Sequence, residues 1–432
     1  MNNPEEECAY MGILDSKAML GHEVKQCKNI IVYGARYRGA VLVRFIKANF
    51  PEVNVFVAVS GKGQNDLFCA GIYVDKLDSH ANISDSALVL IAAQHMFRDE
   101  MENTACALGF CNIFQVDDKF YDEMTNRLSL AKELFSRWGA NDFTSLTKLQ
   151  KKNFRYVLST NDRGLYTVEF LESKGINFSG TNVLDIGCAY GGFSIEAKRR
   201  GACNVYGVDI KEDCIALARV NLKDEPIELS EKCKFDVCDI TSEKALSMPQ
   251  KYFDIIFVTD VFEHVYDTCK LLEHIKRLVA PAGSIYFEIP NGLHYFKHVE
   301  VEPHYLINGL SLLPPSFWYE KVGYIATYYR RWEYYAALFT HYGFADMKLF
   351  NFNTKPDFSK DSLSLKLTDE MKNAMKYLNE KTIDESFSYR DAVNDSLKSL
   401  EFELKYDIAE MDVDGLAFKY LSPFWQGILK NE

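Results

Sequence analysis

Apolar and polar positions along the chain run through two similar cycles of short apolar runs alternating with amphipathic stretches. In the first cycle the runs 30–33, 53–59, 72–74, 87–92 and 112–116 read as strands, because each is short, rich in β-branched residues and bounded by turn residues. The stretches up to Phe50 and after Ala92 have helical spacing. From Asp117 to Phe178 the spacing is helical, as in FYDEMTNRLSLAKELFSRW and LYTVEFLESKG. The second cycle predicts strands at 183–186, in a second apolar run closing on Asp209, and at 234–237, 254–259 and 283–289, with helices at 212–222 and 266–278. Beyond Phe350 two long helices are expected, 363–378 and 389–408, followed by an aromatic tail, 418–425. Strand and helix alternation implies mostly parallel sheets whose ligands lie outside the carboxyl ends of the strands. The expected class is α/β in four parts: a Rossmann-like N-terminal domain (1–118), a helical connector or cap (119–178), a doubly wound core (179–350) and a helical C-terminal extension (351–432).

At 432 residues and 47% hydrophobic content, several domains can each bury a core. The net charge of −12 argues against a large nucleic-acid or anionic-membrane footprint, which needs concentrated Lys and Arg. A small-molecule or neutral polymer acceptor fits better. Eleven cysteines without C-x-x-C pairs, an acidic start (MNNPEEE) and no apolar run of spanning length lead to the expectation of a reducing, cytoplasmic setting without an integral membrane segment. A homo-oligomer, or docking to glycan-assembly enzymes, is compatible with that expectation.

The chemistry concentrates between Thr181 and Ile210. An apolar run ends in the turn Asp185-Ile186-Gly187-Cys188-Ala189-Tyr190-Gly191, a helix follows, and a second run closes on Asp209. Glycine lets backbone approach a ligand closely, and an acidic side chain about 20 residues on can hold ribose hydroxyls. The turn lacks the G-x-G-x-x-G of a dinucleotide fold. It resembles motif I of the class I S-adenosylmethionine-dependent methyltransferases, D-x-G-x-G-x-G, with Ala189 in the place of the middle glycine. The resemblance implies that Gly187, Ala189 and Gly191 wrap the amino-acid end of the cofactor and that Asp185 helps hold its ammonium. It further implies that Asp209 takes the ribose hydroxyls, Asp239 the adenine amine, and Ile210 and Ile240 the two faces of the adenine.

Two later stretches are candidates for handling the acceptor. Thr259-Asp260-Val261-Phe262-Glu263-His264-Val265 resembles the family's acidic-x-x-E-H signature, which lies between cofactor and acceptor, so Asp260 joins the cofactor set. There His264 is a candidate general base; alternatively Asp260, Glu263 and His264 ligate a divalent cation, or Glu263 and His264 only brace the next helix. After Pro290-Asn291, residues 294–305 hold His294 and His304, rival bases. If 298–304 is extended, His298, Glu300, Glu302 and His304 point one way as a possible ligand set, although Pro303 argues against a regular central strand. Further on, Tyr328-Tyr329-Arg330-Arg331-Trp332 offers aromatic faces for sugars and arginines for phosphates.

The N-terminal half has its own glycine turn, Gly34-Ala35-Arg36-Tyr37-Arg38-Gly39, with Arg36 where a pyrophosphate would need bare backbone. Its IIVYGARYRG opening, VAVSGKGQNDLFCAGIYVDKL middle and LVLIAAQ strand resemble the small Rossmann-like modules attached to bacterial surface-glycan enzymes. Together the two resemblances imply an O-methyltransferase acting on a sugar of a surface glycan or its nucleotide-linked precursor. A quinone-like or other small natural product as acceptor, and a catalytically inactive scaffold, are the alternatives.

Overall fold

A computed structural model describes residues 10–431 apart from 36, 61–67, 71, 94, 127, 345 and 351–357. Arg36, expected to obstruct a pyrophosphate, and part of the glycan-module resemblance at 61–67 lie outside the described residues. The chain divides into two compact units: residues 1–180, 188–206 and 211–236 form one, and residues 181–187, 207–210 and 237–432 the other.

The first unit begins with β1 (Tyr10–Leu14), α1 (Lys17–Gln26), β2 (Asn29–Tyr33), α2 (Tyr37–Asn49), β3 (Asn54–Val59), β4 (Phe68–Cys69) and β5 (Ile72–Lys76). Then come β6 (Ala87–Ile91), α3 (His95–Ala107), β7 (Asn112–Val116) and α4 (Asp118–Asn126). The seven strands form one sheet in the order β1-β7-β6-β2-β3-β5-β4, with parallel pairs throughout its centre. Alternation along the strands sends Ile30, Val32, Leu88 and Leu90 into one core and Ile31, Tyr33, Val89 and Ile91 into another. A sheet covered on both faces follows, which is why these runs are continuously apolar.

Beyond the ends of β2 and β6 two arginines converge on Asp118. Arg98, only 4% exposed, donates to the Ala93 carbonyl at 3.0 Å and pairs with Asp118, with Asp117 at 3.5 Å. Arg38 reaches the same Asp118 oxygen at 2.6 Å and the Ala93 carbonyl at 3.2 Å. Arg38 and its neighbours hold Asp118's carboxyl below its ordinary value, despite the opposing effect of burial.

Helices α5 (Ser129–Trp138) and α6 (Lys148–Ser173) continue this unit, α6 opening on a Thr147–Gln150 capping box. A second seven-stranded sheet has the order β10-β9-β8-β11-β12-β14-β13. Its elements in chain order are β8 (Asn182–Ile186), α7 (Gly192–Arg199), β9 (Asn204–Asp209), α8 (Glu212–Asn221), α9 (Ile227–Ser230), β10 (Cys233–Val237), β11 (Phe253–Thr259), α10 (Thr268–Leu278) and β12 (Val279–Pro290). Then follow α11 (Lys297–Glu300), α12 (Pro315–Val322), α13 (Trp332–His341), β13 (Met347–Phe350), α14 (Lys360–Lys381), α15 (Phe387–Glu410) and β14 (Phe424–Lys430). Strand β11 lies parallel to β8 and β12, whereas β14 runs antiparallel between β12 and β13. The fold is therefore α/β with a helical C-terminal part, as expected. The aromatic tail does not stay outside it: Trp425, Ile428 and Leu429 are buried as part of an inner strand. Among the described residues no helix is long and apolar enough to cross a membrane.

Candidate active site

The glycine turn after β8 alternates into the left-handed region three times, at Gly187 (φ +71°), Ala189 (φ +45°) and Gly191 (φ +83°). A Cβ on Gly187 would lie 2.4 Å from Val261 Cγ2, and one on Gly191 would lie 2.6 Å from the Phe235 ring, so both positions demand glycine twice over. Ala189 adopts the same backbone with a Cβ, at a cost of about 1 kcal/mol. Asp185, at the strand end, is completely buried. The Gly187 N–H donates to the Val208 carbonyl at 2.8 Å and the Cys238 N–H to that of Asp209 at 2.9 Å, so adjacent strand ends are tied at the turn. Asp209 is half-buried there, with Ile210 exposed beside it and Ile240 buried. Asp239 is exposed, and its Oδ1 accepts from the Thr241 N–H (2.8 Å) and hydroxyl (2.7 Å), leaving the carboxylate held in one orientation.

After β11 the chain bends at Asp260, itself left-handed (φ +54°), whose N–H donates to the Glu288 carbonyl. Residues 262–264 make one tight turn, in which His264, exposed, keeps its Nε2 3.6 Å from an oxygen of the buried Glu263. Arg330 stitches this turn from outside, donating to the carbonyls of Phe262 (3.3 Å), Val265 (3.0 Å) and Tyr266 (2.9 Å). The Tyr328 N–H reaches the Glu263 carbonyl at 2.7 Å. His264 Nδ1 lies 2.7 Å from the Ala326 carbonyl; a carbonyl only accepts, so Nδ1 carries the proton.

The expected extended run from His298 to His304 is corrected by the structure. Residues 297–300 are helix α11, and a narrow turn follows, bridged between Val301 and Asn308. The four side chains therefore do not share a face. His298 Nδ1 bonds the Asn291 carbonyl at 2.8 Å, and Glu300 pairs with Lys297 at 3.0 Å. Instead Glu302 and His304 meet directly. Glu302 is fully buried, and its Oε1 accepts from His304 Nδ1 and from the Tyr329 hydroxyl, each at 2.7 Å. Its Oε2 accepts the N–H groups of His304 (3.0 Å) and Tyr305 (2.7 Å). Burial alone would raise this carboxyl, but the hydrogen bonds from His304, Tyr305 and Tyr329 outweigh it and hold the group below its ordinary range. Burial and the Glu302 charge push the Tyr329 hydroxyl far up, so it remains a donor. Because a carboxylate only accepts, His304 carries its proton on Nδ1 and presents the Nε2 lone pair. The His264 ring stands edge-on to it, centroids 6.0 Å apart. His294 is driven down to about 4, by burial first and then by His298, which makes it a poor base.

Residues 177–328 match the family model described as "Methyltransferase domain". This part of the chain is a methyltransferase domain. Among curated proteins, the ubiquinone biosynthesis O-methyltransferase of Stutzerimonas stutzeri is 30% identical over 116 residues, 27% of this chain and 47% of that protein. That of Pseudomonas aeruginosa is 32% identical over 113 residues, 26% of this chain and 46% of that protein. The chain spans about half the length of the curated relatives it matches. Among solved structures, an S-adenosylmethionine-dependent methyltransferase from Mesorhizobium loti aligns over 62% of this chain and 97% of its own, at 15% identity and a TM-score of 0.37. Phosphoethanolamine N-methyltransferase 2 of Haemonchus contortus aligns over 95% and 99%, at 16% identity and a TM-score of 0.37.

The loop after β12 is held by the helical C-terminal part. Leu293, Phe296 and Val299 share one core with Leu363, Leu367, Leu397 and Leu400 of α14 and α15. That core secures a backbone in which Tyr295 and Phe296 are both left-handed. Asn291, fully buried, donates to the carbonyls of Lys419 and Ser422, both at 2.8 Å. The Lys419 ammonium, 1% exposed, is in turn gripped by Glu333 (2.6 Å), Glu403 (2.9 Å) and Asp407 (2.5 Å).

Those three carboxylates are the one group of three His, Cys, Asp or Glu whose ligand atoms converge among the described residues, and an ammonium already fills it. Asp260, Glu263 and His264 do not form such a group among the described residues, so the alternative in which they ligate a divalent cation gains no support. Glu302 and Tyr329 are what sequence reasoning missed as partners of the candidate base His304. A glutamate two residues before a histidine across a proline was the available signal, and the assumption of an extended strand hid it.

Proposed function

We propose that the chain transfers the methyl group of S-adenosylmethionine to a hydroxyl of an acceptor, with His304 as the general base. The observation that carries this reading is the buried Glu302 carboxylate, which fixes the tautomer of His304 with Nε2 as proton acceptor. S-adenosylmethionine would supply an electrophilic methyl carbon, held by the Gly187, Ala189 and Gly191 turn and by Asp185, Asp209 and Asp239 at the strand ends. The turn suits such a ligand because it loops tightly at the strand ends through positive φ at Gly187 and Gly191, beside the fully buried Asp185. Asp260, Ile210 and Ile240 complete the proposed cofactor set. His304 takes the acceptor proton as the oxygen attacks, Glu302 stabilises the imidazolium, and Tyr329 keeps Glu302 in place. His264, whose Nδ1 also carries its proton and whose Nε2 lies 3.6 Å from the buried Glu263, is proposed to contact the acceptor and is the second candidate base.

A sugar hydroxyl is the first acceptor class and a quinone-like phenol the second; the names of the curated relatives favour the second. The expected nucleotide-linked precursor finds little support, because Arg330 is spent on three carbonyls and Arg331 pairs with Glu403 at 3.2 Å. Calorimetry with S-adenosylhomocysteine and transfer of a labelled methyl group test the reading. His304→Ala and Glu302→Gln should bind S-adenosylhomocysteine normally and lose about a hundredfold or more in turnover, with the Glu302→Gln loss partly recovered at high pH. Full turnover in His304→Ala would remove His304 as the base, and a folded chain that binds no S-adenosylhomocysteine would leave the scaffold alternative.

A further inference from the structure

We infer that the acceptor presents an uncharged sugar ring, stacked on an aromatic surface built from Tyr305, Tyr324 and Trp318 beside His304; this rests on the methyl-transfer reading above. The surface and the base are fixed by the same carboxylate. Glu302 Oε2 accepts the Tyr305 N–H while Oε1 accepts His304 Nδ1, so the tyrosine backbone and the imidazole are set by one group. The Tyr305 ring meets Trp318 at 6.3 Å and 87° and Tyr324 at 6.0 Å and 84°, and the two tyrosine hydroxyls are hydrogen-bonded. Trp318 also lies 6.1 Å from Tyr329, whose hydroxyl is on Glu302. Trp318 is the floor at 3% exposure, whereas Tyr324 is 52% exposed and Leu306, next to Tyr305, 73%.

Charge narrows the class of partner. The cations flanking these residues in the chain are all engaged: Lys321 with Glu385, Arg330 with backbone carbonyls, Arg331 with Glu403. Glu302, the carboxylate beside the surface, is buried and already holds four donors, so a phosphate or carboxylate acceptor would find no cation among these flanking residues to pair with. Aromatic faces take the C–H face of a sugar, and the tyrosine hydroxyls and His264 suit its hydroxyl groups. A flat phenol calls for an enclosed apolar slot, and half-exposed Tyr324 does not provide one.

The full chain, saturated with S-adenosylhomocysteine and fluorescently labelled, should be applied to an array of neutral, phosphorylated and carboxylated oligosaccharides, with dihydroxybenzoate as a soluble competitor. Signal confined to neutral glycans, falling about tenfold or more in Tyr324→Ala and kept in Tyr324→Phe, is the expected result. Absence of signal on neutral glycans, signal on charged glycans only, equal signal in Tyr324→Ala, or displacement by dihydroxybenzoate would each overturn the inference. Calorimetric affinity for S-adenosylhomocysteine, measured on the same samples, separates this failure from that of the methyl-transfer reading, because the aromatic residues are not among the proposed cofactor contacts.

Discussion

The two glycine turns of the chain are made from the same parts and filled in opposite ways. After β2, Gly34 is left-handed and packs so tightly that a Cβ would lie 2.6 Å from the Ala92 carbonyl; after β8, Gly187 is left-handed and just as crowded by Val261. At the first, Arg38 and Arg98 converge on Asp118 in internal ion pairs. At the second, the carboxylates Asp185, Asp209 and Asp239 stand at or beside strand ends, Asp185 fully buried and Asp239 exposed. Backbone geometry at such a turn thus makes a ligand site available, and the side chains one turn further on decide whether the chain itself uses it up.

The comparison breaks most visibly at Arg98. Arg98→Ala would leave Asp117 and Asp118 without their buried partner and should cost about 3 kcal/mol of stability, read by denaturant unfolding, with S-adenosylhomocysteine affinity unchanged. A fall in that affinity would mean that the first turn is not merely structural. Next in size, Asp209→Ala should weaken S-adenosylhomocysteine binding about tenfold or more by calorimetry while leaving stability nearly unchanged; equal affinity would move the ribose site elsewhere. Ala189→Gly sharpens the contrast more gently. Relieving a Cβ in the left-handed region should stabilise the chain by about 1 kcal/mol less the added freedom of the unfolded glycine, and a destabilised variant would show that the methyl group packs usefully.

A pH-resolved test concerns Asp162 of α6, the helix whose Thr160 carbonyl would lie 2.0 Å from a Cβ on Gly192. Burial raises its carboxyl to about 7, and the Arg44 charge only partly draws it back. The folded chain therefore keeps the proton over a range in which the unfolded chain has lost it. The destabilisation is absent below the ordinary carboxylate range, grows as pH rises towards about 7 and is constant above. Asp162→Asn should raise Tm by a few degrees at pH 8 and leave it unchanged at pH 3; equal shifts at both would exclude ionisation as the cause.

Much of both sheets was readable from periodicity, because strands buried on both faces must be continuously apolar, as 30–33 and 87–91 are. The cofactor turn was readable because positive φ and close packing leave glycine almost no substitute. Two features were not. Strand β14 holds Gln426 and Gly427 within seven residues and follows two polar helices, so nothing local separates it from a loose tail. Glu302 was readable only as a polar residue near a histidine, since its four hydrogen bonds depend on a turn that α11 sets up and on Tyr329, 27 residues away. Arg330 was misread for a related reason: a guanidinium suits phosphate and stacked backbone carbonyls alike, and sequence does not say which arrives first.

The position of β14 has a consequence for how the protein is made. Strand β13 ends at Phe350, and the strand that joins it to β12 begins only at Phe424. Until synthesis has passed residue 430 and that segment is clear of the ribosome, β12 has an unpaired edge of apolar residues and β13 has no neighbour at all. The catalytic sheet is therefore completed late, while α14 and α15 can pair locally beforehand. Chaperone dependence in the nascent chain should peak over this interval, and the mature fold carries its seam between β12 and β13.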